Sequence, residues 1–197
     1  PTVRAAIHKL VAQGLVDHRQ GLGTFVRVPD PGDHENPLRS LVGEHRPGLL
    51  ELLELRLGLE CNAARFAAKR ASADDIAFLE KTCQAMRDQL ARGSVDFDAD
   101  TAFHMGVASA SKNPMQLYIM KSLHDLLHYG ISENLKRLYD AESDLELILS
   151  HHEAVLAAIE RRDGESAFQA MQEHIRFVID YFASHPENLD DHRDSRP

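Results

Sequence analysis

What this 197-residue chain lacks narrows its class before any motif is read. No run of apolar residues approaches the roughly 18 that a membrane-spanning helix requires. No apolar leader opens the chain, which begins in mid-pattern at Pro1, so no signal peptide is expected and a longer parent is. Cysteine is scarce. Its two copies, Cys61 and Cys83, fall in helix-like sequence and read as buried, reduced thiols of a cytoplasmic protein rather than a disulfide. Neither a glycine-rich phosphate loop nor a nucleophile elbow is present. Basic charge is outnumbered, 22 Lys and Arg against 31 Asp and Glu, and the net charge of −9 argues by itself against a nucleic-acid partner.

What is there divides unevenly. Residues 1–29 hold Arg4, Lys9, Arg19 and Arg27 against Asp17 alone, a balance of +3, so with a total of −9 the remaining residues carry −12. A small basic piece joined to a large acidic one implies two jobs. With 43% hydrophobic residues, the large piece can bury a substantial core.

In PTVRAAIHKLVAQGL (residues 1–15) Val3, Ile7, Leu10 and Val11 share one helical face, Pro1 suits a first turn and Gly14 an end. LVDHRQGLGTFVRV then reads as a β-hairpin around Gly21-Leu22-Gly23. PDPGDHENP, residues 29–37, is proline-rich and polar and falls where the charge changes sign, so residues 30–36 are expected to be a linker. From 37 to about 184 the pattern is helical, with helices expected at 37–44, 47–70, 73–92, 95–110, 114–139, 142–162 and 165–184. The breaks fall at Pro47-Gly48, Ser72, Gly93-Ser94, Asn113-Pro114, Asp140 and Asp163-Gly164, residues that cap or interrupt helices. The tail at 185–197 is expected to be disordered. The fold class is therefore mainly α: a helix and hairpin, then an antiparallel all-α bundle of six to seven helices.

Chemistry concentrates in histidine. Asp100 and His104 are four apart, so a helix presents both on one face. Alone, that pair reads more simply as a histidine hydrogen-bonded to a carboxylate. His152 and His174 lie eleven residues on either side of position 163, at the break, so in a helical hairpin they stand at the same height, roughly 16 Å from the turn. Both sit among apolar neighbours: Val155, Leu156 and Ile159 on one helix, Met171, Ile175 and Val178 on the other. If both faces point inward, the imidazoles meet in the core. With Asp100 and His104 they make three nitrogens and one oxygen, a set that suits zinc, and nickel or copper if water fills further positions. His151 is rotated about 100° from His152, so only one can face inward, and the symmetry favours His152. His124 and His128 form a second i, i+4 pair that reads more simply as core or surface, and His8, His18, His34, His45, His185 and His192 read as solvated.

These segments together resemble the GntR family of bacterial transcription regulators, in its FadR-like branch with an FCD effector domain. PTVRAAIHKLVAQGLVDHRQGLGTFV is similar to the later half of that family's winged helix-turn-helix, a recognition helix followed by the wing. ELRLGLECNAARFAAKRA, DTAFHMGVASASKNP and HEAVLAAIERRDGESAFQAMQEH resemble its early helix, its acidic-residue-then-histidine motif and its closing helical pair. The intervals of 48 residues from His104 to His152 and of 22 from His152 to His174 also match metal-binding members. The resemblance implies that residues 1–29 are the later half of a winged helix and 37–184 the effector domain. It implies that Asp100, His104, His152 and His174 ligate a divalent metal, zinc foremost and nickel next, at the floor of a cavity for a small organic acid. Arg56 is implied as that acid's partner, because a guanidinium donates two parallel hydrogen bonds to a carboxylate. Asn113 matches the motif's asparagine, with a cap before Pro114 as the alternative. On double-stranded operator DNA, Arg4 is placed to reach a base edge or phosphate, and Thr2 a phosphate. The wing would bring Gly21 and Gly23 close to the minor groove, with Arg19 and Gln20 near phosphates. The Asp163-Gly164 order reverses the usual Gly-Asp of the family's hairpin turn, which is expected to shift a cap and not the metal site.

The implied function is a cytoplasmic, homodimeric transcription regulator, a repressor, whose DNA binding is modulated by a small carboxylate, with no membrane partner. A metalloenzyme is the alternative, since three histidines and a carboxylate can activate water. That alternative lacks a base beyond the ligands: Glu153 and Glu173 are turned about 100° off their faces. A purely structural ion shares every ligand but predicts no response to carboxylates.

Overall fold

The computed structural model describes residues 7, 16–19, 23–26, 48–92, 97–137 and 142–185. The chain divides into two compact units, Pro1–Asn36 and Pro37–Pro197. In the first, strands β1 (Val16–Arg19) and β2 (Gly23–Val26) pair antiparallel with Val16 opposite Val26 and Arg19 opposite Gly23. Gly23, read from sequence as part of the hairpin's tip, is therefore the first residue of β2. Of the helix expected over 1–15, Ile7 alone is described, and it is helical. The linker at 30–36, the helix expected at 37–44 and the tail beyond His185 lie outside the described residues.

The second unit contains, among the described residues, six helices: α1 (Leu49–Arg70), α2 (Ala73–Ala91), α3 (Phe97–Ala110), α4 (Pro114–Arg137), α5 (Glu142–Glu160) and α6 (Gly164–Ser184). None of them is long and apolar enough to cross a membrane. Their ends follow from local chemistry. Ser72 starts α2 with a capping box, its hydroxyl accepting from the Asp75 N–H while Asp75 Oδ2 accepts from the Ser72 N–H at 2.7 Å. Asn113 Oδ1 accepts from the N–H groups of Met115 and Gln116, and Pro114, with no N–H to satisfy, takes the first helical position of α4.

Only residues 161–163 separate α5 from α6, so the two form a tight helical hairpin. Arg162 takes the left-handed position, φ 60°, and Asp163 Oδ1 accepts from the N–H groups of Glu165 and Ser166. Gly164 serves close approach: a Cβ there would lie 3.0 Å from the Arg65 carbonyl oxygen of α1. The reversed Asp-Gly order thus caps α6 with the aspartate and leaves the glycine where α1 passes.

Small residues let α1 lie along α6. Ala63, Ala64, Ala67 and Ala68 are buried against a cluster that includes Phe103, Val155, Ile159, Met171 and Ile175. A second apolar cluster joins Leu49, Leu52 and Leu53 to Leu123, Leu127, Ile148, Val178 and Phe182. Along α1 and α5, Arg56, Glu60 and His152 fall between the residues of one cluster and those of the other, and on α6 His174 sits beside Ile175, the last residue of the first cluster before Val178 of the second. A polar layer therefore crosses the bundle between two apolar ones.

Candidate metal centre

Four helices aim side chains into that layer. On α3, Asp100 and His104 lie one turn apart; α5 supplies His152, α6 His174, and α1 Arg56 and Glu60. All six are buried. His104 Nε2 is 3.2 Å from His152 Nε2 and 3.2 Å from His174 Nε2. Asp100 Oδ1 is 3.4 Å from His152 Nε2 and 3.7 Å from His104 Nε2. One donor atom from each of Asp100, His104, His152 and His174 lies within 4.8 Å of all the others. The phenyl ring of Phe103, 4.5 Å from the His152 ring, walls one side.

These separations fit an ion. Zinc bonded at 2.0–2.1 Å in a tetrahedron has donor–donor edges of about 3.3–3.4 Å, inside the spread of the four distances above. The hydrogen-bond chemistry points the same way: the three facing Nε2 atoms of His104, His152 and His174, with Asp100 Oδ1 beside them, bring together more lone pairs than protons. His152 Nδ1 and His174 Nδ1, on the far side of their rings, are buried without hydrogen-bond partners. Burial pushes His152 down to about 3 and His174 well below the usual histidine range, so both rings are neutral and their lone pairs available. Burial works against the charge on Asp100 too, but the facing His104 outweighs it and holds the carboxyl well below its ordinary range. In His104 burial opposes the imidazolium, yet Glu60 and Asp100 overcome it and push the ring up to about 9. Without an ion, a proton on His104 is the cation at the centre.

Glu60 is the residue that sequence reasoning missed. One of its oxygens accepts from His104 Nδ1, which leaves His104 Nε2 to face the cluster. The other accepts from Arg56 Nε at 2.6 Å. Arg56, expected to face an incoming acid, thus belongs to the same buried network through an internal carboxylate. The available signal was an Arg-x-x-x-Glu pair among leucines and alanines, which reads as a surface i, i+4 pair until its burial is known. His124, read as core or surface, is core: its Nε2 lies 3.6 Å from Glu60 Oε1 and its ring 5.9 Å from that of His104. It stands beside the four-donor set, not in it.

The remaining expected positions fall elsewhere. Asn113 caps α4 and has no part in this network. His151 is half-buried against His174 and Phe177, leaving the inward position to His152. His185, expected to be solvated, is partly buried, donates from Nδ1 to the Tyr181 carbonyl at 2.8 Å and stacks on that ring. Arg19 and Gly23 lie in the hairpin, while Thr2, Arg4, Gln20 and Gly21 are outside the described residues.

The FCD domain family matches residues 51–177, which span every one of these inward-facing side chains. The chain is an FCD-domain member of the GntR family. A protein of Escherichia coli (strain K12), named for regulation of the L-lactate dehydrogenase operon, is 30% identical over 181 residues, 90% of this chain and 69% of that protein. The transcriptional regulator LutR of Bacillus subtilis (strain 168) is 28% identical over 186 residues, 94% of this chain and 85% of that protein. The solved structure of Streptococcus agalactiae GntR superposes with a TM-score of 0.69 at 27% identity, covering 90% of this chain and 80% of that one. The family is one of transcriptional regulators, not enzymes.

Proposed function

We propose that this chain belongs to a homodimeric, cytoplasmic repressor whose FCD domain holds one divalent transition metal and responds to a small organic acid. Asp100, His104, His152 and His174 are the metal's ligands, with zinc first and nickel second. The reading rests on one observation: four buried donor atoms, three of them imidazole nitrogens, within 4.8 Å of one another. The ion would supply a Lewis-acidic position for a carboxylate oxygen, with Arg56 near it as the second anchor. A relative named for an L-lactate dehydrogenase operon supports a small carboxylate as the class. DNA contact is assigned to Thr2, Arg4, Arg19, Gln20, Gly21 and Gly23 within residues 1–29, coupled to the helical domain through 30–36.

The test is metal content by mass spectrometry on protein prepared without a nickel column, beside gel-shift titration of the full-length parent on its own upstream DNA and on random duplex. Near one metal per chain and a preference for the upstream DNA are expected. No metal after incubation with zinc or nickel would remove the ion from the reading, and equal affinity for both duplexes would remove the regulator. A purely structural ion is the second reading, favoured by the engagement of Arg56 with Glu60. It predicts that carboxylates leave the melting temperature of metal-loaded protein unchanged.

A further inference from the structure

Among the described residues, the ionised groups buried at the centre are few. A divalent ion held by Asp100 and three neutral imidazoles carries one uncompensated positive charge. Arg56 would add a second, but Glu60, itself buried, accepts from its Nε at 2.6 Å and cancels it. We propose that Glu60 sets the charge of the anion this centre accepts at one, so that the effector class is monocarboxylates and dicarboxylates built on the same frame are rejected. The inference rests on the reading above, that an ion and a carboxylate share this layer, and it deepens that reading by naming the charge class.

The physical reason is desolvation. A buried carboxylate is stabilised only where an opposite charge meets it, and one left unmatched is strongly disfavoured. The first carboxylate of an entering acid meets the net charge of the ion and its ligands. A second would find Arg56 already balanced by an internal carboxylate four residues along the same helix. Glu60 is also a positioning residue. Its other oxygen accepts from His104 Nδ1, fixing the tautomer whose Nε2 lone pair faces His152, His174 and Asp100. One side chain thus couples the ligand that holds the ion to the arginine beside it.

The experiment uses zinc-loaded protein and two matched pairs of probes that differ by one carboxylate: glycolate with tartronate, and lactate with malate. Affinities come from calorimetry at saturating zinc, and zinc affinity itself from chelator competition. In wild type the monocarboxylate of each pair is expected to bind tighter by about tenfold or more. Glu60→Gln keeps the size and an acceptor oxygen but removes the charge, and is expected to bring that ratio to one or invert it. The same change should weaken zinc binding by roughly 10–100-fold. Glu60→Asp, which keeps the charge, should retain the discrimination. Dicarboxylates binding wild type as well as their partners would overturn the proposal, as would an unchanged ratio in Glu60→Gln. The wild-type comparison decides even if that variant fails to fold. If neither class binds zinc-loaded protein, the organic-acid reading falls and this inference with it, whereas tight dicarboxylate binding removes the inference alone.

Discussion

Zinc should act as a three-helix clamp, and the size of its effect can be worked from the geometry. The four donor residues come from α3, α5 and α6, and through Glu60 His104 is also tied to α1. None of these pairings survives unfolding, since His104 and His174 are 70 residues apart in the chain. An ion held there would therefore bind the folded domain and, to first order, not the unfolded chain. At free zinc a thousand times its dissociation constant, the linkage is worth about 4.1 kcal/mol. A domain of this size shifts by roughly 2–4 °C per kcal/mol, so the melting temperature should rise by about 8–16 °C. His152→Ala removes a donor whose Nε2 lies 3.2 Å from that of His104 and should abolish most of that rise. In ion-free protein the same substitution should cost far less than a typical core truncation, because it also removes a buried ring nitrogen with no hydrogen-bond partner. The assay is differential scanning fluorimetry of wild type and His152→Ala in chelator-stripped buffer, titrated with zinc. An equal zinc-induced rise in both proteins would refute the clamp.

Further outcomes follow from the same structure. Zinc affinity should rise about tenfold per pH unit between pH 7 and 9, because the ion displaces a proton from His104, pushed up to about 9; calorimetry in two buffers of different ionisation enthalpy should show one proton released near pH 7. The sign for the ion-free protein is opposite: the pKa of His104 is raised above the ordinary 6.5, so its contribution to stability is complete below 6.5 and lost as pH climbs through about 9, which urea melts at pH 6 and pH 9.5 would detect. Gly164→Ala should destabilise by about 1–3 kcal/mol in thermal or urea melts, since the new methyl meets a backbone oxygen of α1 that cannot turn aside; no loss would mean that α1 and α6 can separate locally. Burial pushes the thiols of Cys61 and Cys83 up to about 11 and about 12, so a disulfide reagent at pH 8 should label neither until the protein is unfolded.

Much of the bundle is legible from sequence because its boundaries are local events. Ser72 with Asp75, Asn113 before Pro114, and Asp163 beside Gly164 each satisfy helix-end N–H groups with side chains two or three residues away. Periodicity and these caps place every described helix end to within about three residues, the ordinary precision of such boundaries. The pairing of His152 with His174 is also accessible, because a short turn makes equal distance from it equivalent to equal height. Choosing His152 over His151 needs only the 100° step between neighbours.

What depended on tertiary structure is the environment of charges, because burial and long-range partners leave no local mark. Arg56 and Glu60 look in sequence like any surface pair at i, i+4; only the packing of α1 into the bundle turns them into a buried ion pair. The contact of Glu60 with His104 spans 44 residues and follows from where α1 and α3 come to rest, not from either segment. His124 was undecidable for the same reason, its fate set by the face α4 turns inward. The sequence by itself determined the helices, their caps and which histidines could meet, all governed by interactions within a turn or two. The tertiary structure alone decided that a second carboxylate stands behind the centre and cancels its arginine, because an electrostatic environment is a property of what surrounds a residue and not of its neighbours along the chain.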